Sequence, residues 1–440
     1  MDHLEIGNQF YINKEYEKAK HHYEQLLLEQ PNNLTGYHNL GLACVQLDQN
    51  ERAIEILKIP CDYNYTESLL SRGAAYRNIG KYEEAMADFA RAFIINPYDG
   101  SAYSNYSNSL REFGKPDLAI PFAQVAQKLN PHDQICRLNE SIAHLYKGDL
   151  ISGWEKYDAR WFYETGSSLK PTLAGLEYDG SQSLTDYTIL VYCEQGFGDC
   201  IQFSRYLLLL EKMAKQVVLV SKPKLKTLFK HNFPKINVVS NDDILPGYHY
   251  HVALLDLPKC FNTTIDTIPY PTAYLSVSEG LKTEWKKILG PKYKRRIGIL
   301  CTSNSIAYIT RFRKVDIQTL FPIISDEFEF INLSIDYNQE ELELLSERGI
   351  KSFDMGDFYN TAGLVASLDC VITVDTFMAH LAGSLGVPTF VLLHKYGSDW
   401  RWFLDRTDSP FYSCVKLIRQ TERNKFDDMV LKLKHELALI

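Results

Sequence analysis

Small residues recur through the first third of the chain at a spacing close to 34: Gly7, Gly41, Gly73 and Ser107 fall in register, followed twelve residues on by Ala19, Ala53, Ala85 and Ala119. A period of this length marks an array of helical hairpins. Two antiparallel helices approach closely only where Gly, Ala or Ser removes side-chain bulk, and aromatics such as Phe10, Tyr23, Tyr76 and Phe89 fill the space between hairpins. Pro31, Pro97 and Pro131 stand where each second helix must stop. The clearest unit is 66–99, with SLLSRGAAYRNIG, a turn at Lys81 and Tyr82, and then EEAMADFARAFIINP. The unit before it is about two residues short and ends in KIPCDYNYTE, which predicts a local irregularity.

These spacings resemble tetratricopeptide repeats, about four of them plus a degenerate fifth, over residues 1–161. The fifth runs from Gln134 to Trp161, where Trp154, Tyr157 and Trp161 share one helical face and are expected to seal the solenoid against the next domain. Asn39, Asn105 and Asn139 occupy equivalent points on three first helices, where amides can bond an extended peptide backbone or serve the repeat itself. Residues 162–187, with Gly166, Ser167, Ser168, Pro171, Gly175, Gly180 and Ser181, read as a linker.

At 440 residues the chain exceeds one core and should divide into about three units. Apolar residues at 45% and charged residues at 23% leave no disordered bulk. The net charge of −8 disfavours a nucleic-acid partner. No apolar run approaches the roughly 20 residues of a membrane span, and the N-terminus lacks a basic-then-apolar signal. Nine cysteines show no CxxC or other metal-ligand spacing, so no metal is expected and a cytoplasmic location fits.

From Thr188 short apolar runs alternate with amphipathic stretches. TILVYC, QVVLV, INVVS and HVALLD predict one set of parallel strands within 188–289, and RRIGILC, FEFINLS, CVITVD and TFVLL a second within 290–440. Two doubly wound α/β lobes facing across a cleft follow as the expected fold.

Two strand–turn–helix segments carry the chemistry. In EQGFGDCIQFSRY (194–206), Gly196 and Gly198 let backbone approach a ligand closely. Ile201 stands where a dinucleotide fingerprint needs its third glycine, which argues against nicotinamide binding. Asp199 is placed to cap the helix or to take a proton from an acceptor hydroxyl, with Glu194 the alternative base and Gln202 on the same helix. Arg205 is expected to brace the loop. In VITVDTFMAHLAGSLGVP, Asp375, Thr376 and the amides after them open a helix that also carries His380; such a terminus attracts phosphate or is simply capped by Asp or Thr. Upstream, CTSNSIAYITRFRKV supplies Ser303, Asn304, Arg311 and Arg313 for phosphate oxygens. Asp399 and Trp400 belong to a DWRW segment that lines or braces the cleft rim.

These segments, with DWRWFLDRTDSPFYSCVKLIRQ at 399–420, resemble the tetratricopeptide-linked glycosyltransferases related to glycosyltransferase family 9, the group containing the lipopolysaccharide heptosyltransferases. The resemblance implies a GT-B body, a nucleotide-sugar donor on the C-terminal lobe and a metal-independent inverting transfer. It implies Asp199 as catalytic base, donor contacts from Asp375, Thr376 and His380, and phosphate contact from Arg313. Two departures stand out: Phe377 replaces a small residue often found after Asp-Thr, and the 302–310 loop is less polar than usual. The expected acceptor is a protein or peptide docked on the repeats, which also offer a surface for self-association. Two alternatives remain open: a catalytically degenerate nucleotide-binding scaffold, or a transferase acting on a lipid-linked or polysaccharide acceptor. No cofactor beyond the nucleotide sugar is expected.

Overall fold

The computed structural model describes residues 2–162, 170–302, 313–423 and 425–439. It separates into two compact units, 1–147 and 148–440. The first is built from helices α1 (His3–Ile12), α2 (Tyr16–Glu29), α3 (Leu34–Gln46), α4 (Asn50–Asp62), α5 (Thr66–Asn78), α6 (Tyr82–Ile95), α7 (Gly100–Glu112), α8 (Pro116–Leu129) and α9 (Gln134–Lys147).

The in-register glycines do what their spacing predicts. A Cβ on Gly7 would lie 2.6 Å from the Tyr23 ring, on Gly41 2.4 Å from Leu57, and on Gly73 2.5 Å from Phe89. Each first helix therefore takes the large side chain of its partner directly against its backbone. In the fourth hairpin Ser107 replaces glycine, and its hydroxyl donates to the Ala119 carbonyl at 2.8 Å. Every hairpin turn contains a left-handed residue, at Lys14, Asp48, Gly80 and Gly114. The next amide reaches back into the preceding helix, as in Glu15 N to Phe10 O, Gln49 N to Cys44 O, Lys81 N to Tyr76 O and Lys115 N to Leu110 O. These bonds satisfy carbonyls that a helix end leaves open. The irregular second unit is present as predicted: α4 continues through Pro60, and Asn64 adds an extra left-handed residue before α5.

The unit boundary falls at 147/148 rather than at 161. Helix α10 (Leu150–Lys156) and the short turn of helix Tyr157–Phe162 belong to the second unit, because their aromatics pack there: Trp154 lies edge-on to Phe203 and Trp400, and Trp161 joins the core with Leu190, Tyr192 and Val218. The expected linker is corrected as well. Residues 163–169 lie outside the described residues, but Leu176–Glu177 forms strand β1 beside β5, and Tyr178 and Leu184 are buried.

The second unit holds two sheets. The first has strands in the order β1, β5 (Tyr250–Ala253), β2 (Thr188–Tyr192), β3 (Gln216–Ser221), β4 (Asn237–Ser240), all parallel. The second runs β11 (Asp408–Ser409), β12 (Tyr412–Arg419), β10 (Thr389–Leu393), β9 (Cys370–Val374), β6 (Arg295–Leu300), β7 (Phe328–Asn332), β8 (Lys351–Ser352), parallel except for β11. Strands β2, β9 and β10 are buried along their whole length, as covering on both faces requires. Helices α11 (Phe197–Phe203), α12 (Leu207–Met213), α13 (Lys226–Asn232) and α14 (Leu257–Cys260) serve the first sheet. Helices α15 (Glu279–Leu289), α16 (Gln339–Glu347), α17 (Phe358–Val365), α18 (Phe377–Leu385) and α19 (Asp427–Leu437) follow.

The expected division at 289/290 moves as well. Helix α15 packs on α17 of the second lobe, where a Cβ on Gly363 would touch Leu281 and Trp285 at 2.6 Å, and the Trp285 indole donates to Asn360 O at 2.9 Å. In each sheet the strand order reverses beside the first central strand: between β2 and β5, and between β6 and β9. Those reversal points, at the carboxyl ends of the strands, are where open α/β sheets place ligands.

Candidate functional site

Both chemistry-bearing corners sit at these reversal points. The first follows β2. Gln195 adopts a left-handed backbone with φ of 55°, unusual for a side chain of its kind, and Lys222 at the end of β3 reaches the Gln195 carbonyl. Asp199, half-buried, does not cap the helix from outside. It stands in the first turn and folds back, its Oδ2 accepting the Gly196 amide at 2.8 Å. Gly198 is small because the second lobe meets it: a Cβ there would lie 2.7 Å from the His380 ring and 3.3 Å from Phe377 Cα.

The second corner follows β9. Thr376 caps α18, its hydroxyl accepting from Met378 N at 3.3 Å and lying 3.2 Å from the Thr373 hydroxyl. His380 is buried, stacked on Trp402 with 5.3 Å between centroids, and its Nδ1 lies 3.0 Å from the Tyr412 hydroxyl. Burial, with the guanidinium of Arg401 next in weight, lowers its pKa to about 3, so the ring is neutral. Phe377 packs edge-on to Phe358, which in turn meets Phe197 of the first corner.

The two corners therefore face each other, but they touch rather than enclose the open gap that the sequence suggests. A line of alternating charges joins them. Arg401 contacts Asp199 Oδ1 through Nη2, donates from Nε to Gln202 Oε1 at 2.6 Å, and from Nη1 to Asp399 Oδ1 at 2.9 Å. Asp399 Oδ2 then accepts from Arg313 Nη2 at 3.2 Å, and Arg313 Nε lies 3.1 Å from Asp375 Oδ2. Burial opposes ionisation of Asp399, yet Arg401 and Arg313 together hold its pKa at about 2. Asp375 moves the other way, raised by burial that Arg313 only partly offsets.

Several expected site residues take other roles. Glu194, the alternative base, is 5% exposed and gripped by Arg160, Nη2 to Oε1 at 2.6 Å and Nε to Oε2 at 3.2 Å. Arg160 also donates to Asp256 Oδ1 at 2.8 Å, which ties the corner after β2 to the end of β5. Burial pushes Glu194 up to about 7 despite that pairing. Trp400 presents no face to a cleft: it is 4% exposed, between Trp154, Phe411 and the Arg401 guanidinium. Gln202 is fully buried as a prop for Arg401. Arg205 braces as expected, donating to Gln202 O and Phe411 O at 2.8 Å between the rings of Tyr274 and Tyr412. Ser303, Asn304 and Arg311 lie outside the described residues.

Sequence reasoning missed Arg401 as a partner of Asp199, and Arg160 as the partner of Glu194. The spacing between 199 and 401 offers no local signal; the only hint was a pair of arginines inside tryptophan-rich segments. A cavity of about 410 Å³ opens beside the first corner, lined by Trp161, Tyr192, Glu194, Gln195, Lys222 and Asn241 among others.

In the first unit the equivalent asparagines join neighbouring hairpins. Asn39 donates to Asn8 at 2.9 Å, Asn105 accepts from Arg77 at 3.2 Å, and Asn139 donates to Ser104 at 3.1 Å. All three stay half-exposed.

A tetratricopeptide-repeat family profile matches residues 34–58 and 66–99, so the helical unit contains these repeats. Protein FlbA of Caulobacter vibrioides is 24% identical over 424 residues, which covers 88% of this chain and 70% of that protein. Tetratricopeptide repeat protein 6 of Homo sapiens is 23% identical over 142 residues, 32% of this chain and 27% of its own length. Among solved structures, MamA aligns with a TM-score of 0.32 and 22% identity, over 36% of this chain and 92% of its own. A thermophilic repeat protein of Thermus thermophilus aligns with a TM-score of 0.33 and 20% identity, over 38% of this chain and 91% of its own. Among the described residues no helix is long and apolar enough to cross a membrane, and no group of three or more His, Cys, Asp or Glu side chains could hold a metal ion.

Proposed function

We propose that the α/β unit is a GT-B glycosyltransferase that moves a sugar from a nucleotide-sugar donor to an acceptor hydroxyl, and that the repeats dock the protein bearing that acceptor. The observation that supports this best is the meeting of two reversal-point corners, one carrying a carboxylate and the other a helix N-terminus beside a guanidinium. In this reading the donor diphosphate lies against the α18 amides, Asp375, Thr376 and His380, and Arg313 takes the charge that builds on the leaving group. Asp199 accepts the proton of the acceptor hydroxyl as the new C–O bond forms at the anomeric carbon and the bond to the diphosphate breaks. One displacement of this kind inverts that carbon. Because the corners touch, substrates enter only when the lobes part and Arg313 exchanges a carboxylate for a phosphate. The cavity beside Glu194 and Gln195 then lies on the acceptor side. Nine free cysteines suit a reducing cytoplasm.

A pure interaction scaffold is the second reading, favoured by the repeat match. Incubating the full chain with UDP-, GDP-, ADP- and CMP-sugars and measuring nucleotide release separates the two. The transferase reading expects release from at least one of the UDP-, GDP- and ADP-sugars, with Asp199→Asn slower by on the order of a hundredfold or more while the fold is retained, whereas release from the CMP-sugar alone would contradict a diphosphate leaving group. No release, and no thermal stabilisation by any of the nucleotides, would leave the scaffold.

A further inference from the structure

We propose that Arg401 is the positioning residue for Asp199, so that the carboxylate of one lobe is held in its working orientation by the other; this rests on the transferase reading. Asp199 has two oxygens to place. One is fixed by its own turn, through the Gly196 amide, and the other by Arg401 across the lobe boundary. Without the second anchor the side chain can rotate about a single hydrogen bond on a half-exposed turn.

Arg401 is itself built for a fixed geometry. Its three donor nitrogens each meet a different acceptor, on Gln202, Asp399 and Asp199. The guanidinium lies over the rings of Trp400 at 4.5 Å and Phe203 at 5.6 Å. Its side chain is 7% exposed. A planar fork packed against two aromatic rings and bonded at all three nitrogens has one orientation, which a lysine could reproduce in charge but not in shape. Two of its partners, Gln202 and Asp199, lie three residues apart on α11 and present to the same side. Asp399 completes the arrangement and passes it to Arg313 on the donor side. The base of the acceptor lobe is thus set from the donor lobe, and an opening of the lobes that separates Arg401 from Asp199 releases it.

Hydrogen exchange and kinetics on the full chain decide the matter together. Arg401→Met is expected to speed amide exchange across 194–199 by about tenfold while β2 keeps its protection, with Asp199→Asn giving a similar effect and the double variant no more than either alone. Arg401→Lys should recover part of the protection. With whichever of UDP-, GDP-, ADP- or CMP-sugar the wild type turns over, Arg401→Met should lower kcat about tenfold with donor KM nearly unchanged, and add no loss in the Asp199→Asn background. Unchanged exchange at the turn in a folded Arg401→Met, or losses that multiply in the double variant, would overturn the assignment. Should Arg401→Met fail to fold, Gln202→Met removes one anchor of the guanidinium without touching Arg313 and is expected to give the same pattern at smaller size. A wild type that neither releases nucleotide nor is stabilised by any of the four nucleotides refutes the transferase reading, and the exchange data still settle what holds Asp199.

Discussion

Glycine has one meaning in the repeat unit and another in the α/β unit. Gly7, Gly41 and Gly73 are small because a neighbour in the same hairpin needs the space, so each contact is local and repeats down the array. Gly198 is small because a segment almost two hundred residues away, at His380 and Phe377, needs it. The same contrast holds for polar groups. Amides in the repeats bond the next hairpin, whereas Arg160, Arg205 and Arg401 each tie together elements distant in sequence. Local packing leaves a periodic trace in the sequence; long-range packing leaves single residues.

The contrast can be broken at several points. Arg160→Met strands Glu194 and Asp256 without their shared cation, and should destabilise the α/β unit by about 3–5 kcal/mol. Denaturant titration followed by tryptophan emission is the measurement, and Glu194→Gln added to it should recover part of the loss. Gly41→Val acts on the other unit, since even a Cβ would lie 2.4 Å from Leu57. A loss of about 2–3 kcal/mol is expected, confined to the helical transition. If both transitions moved equally, the repeats would not be a self-contained element.

A pH series sharpens the comparison further. The His380 pKa is lowered from 6.5 to about 3 in the folded state, so the unfolded chain binds the proton more readily. Its contribution is present above pH 6.5 and is lost as the pH falls through that window toward about 3. Stability of the α/β unit should therefore decline on acidification, by on the order of 2 kcal/mol more in the wild type than in His380→Gln over the upper part of that range. A repeat-unit transition that followed the same difference would argue against the assignment to His380. The smallest effect is expected from Asn39→Ala, which removes a half-exposed bond to Asn8 and should cost less than about 1 kcal/mol. A larger loss would mean that these amides hold the array together.

How much was legible follows from the same distinction. The hairpins, their close-packed glycines and the short second unit could be read because each depends on residues within a few turns. Eight strands of the two sheets could be read from their apolar runs, but the two-residue strands β1, β8 and β11 are too short to leave a pattern, and β12 was missed because its buried and exposed residues are mixed along Tyr412–Arg419. The domain limits could not: whether 148–161 joins the repeats or the body depends on Trp154 meeting Trp400, and no periodicity encodes that. Asp199 was singled out by its glycine turn, but its partner was not, because an arginine two hundred positions away becomes relevant only once two sheets are folded. Glu194 looked equivalent to Asp199 along the turn, and only the Arg160 contact separates them.

The left-handed turns of the repeat unit have a consequence for how such a chain can change. Each hairpin closes on its own carbonyls, at Lys14, Asp48, Gly80 and Gly114, so a whole hairpin can be gained or lost at a turn without rewriting its neighbours. The length of the array is thus set hairpin by hairpin, independently of the contacts that Arg160, Arg205 and Arg401 make inside the α/β unit.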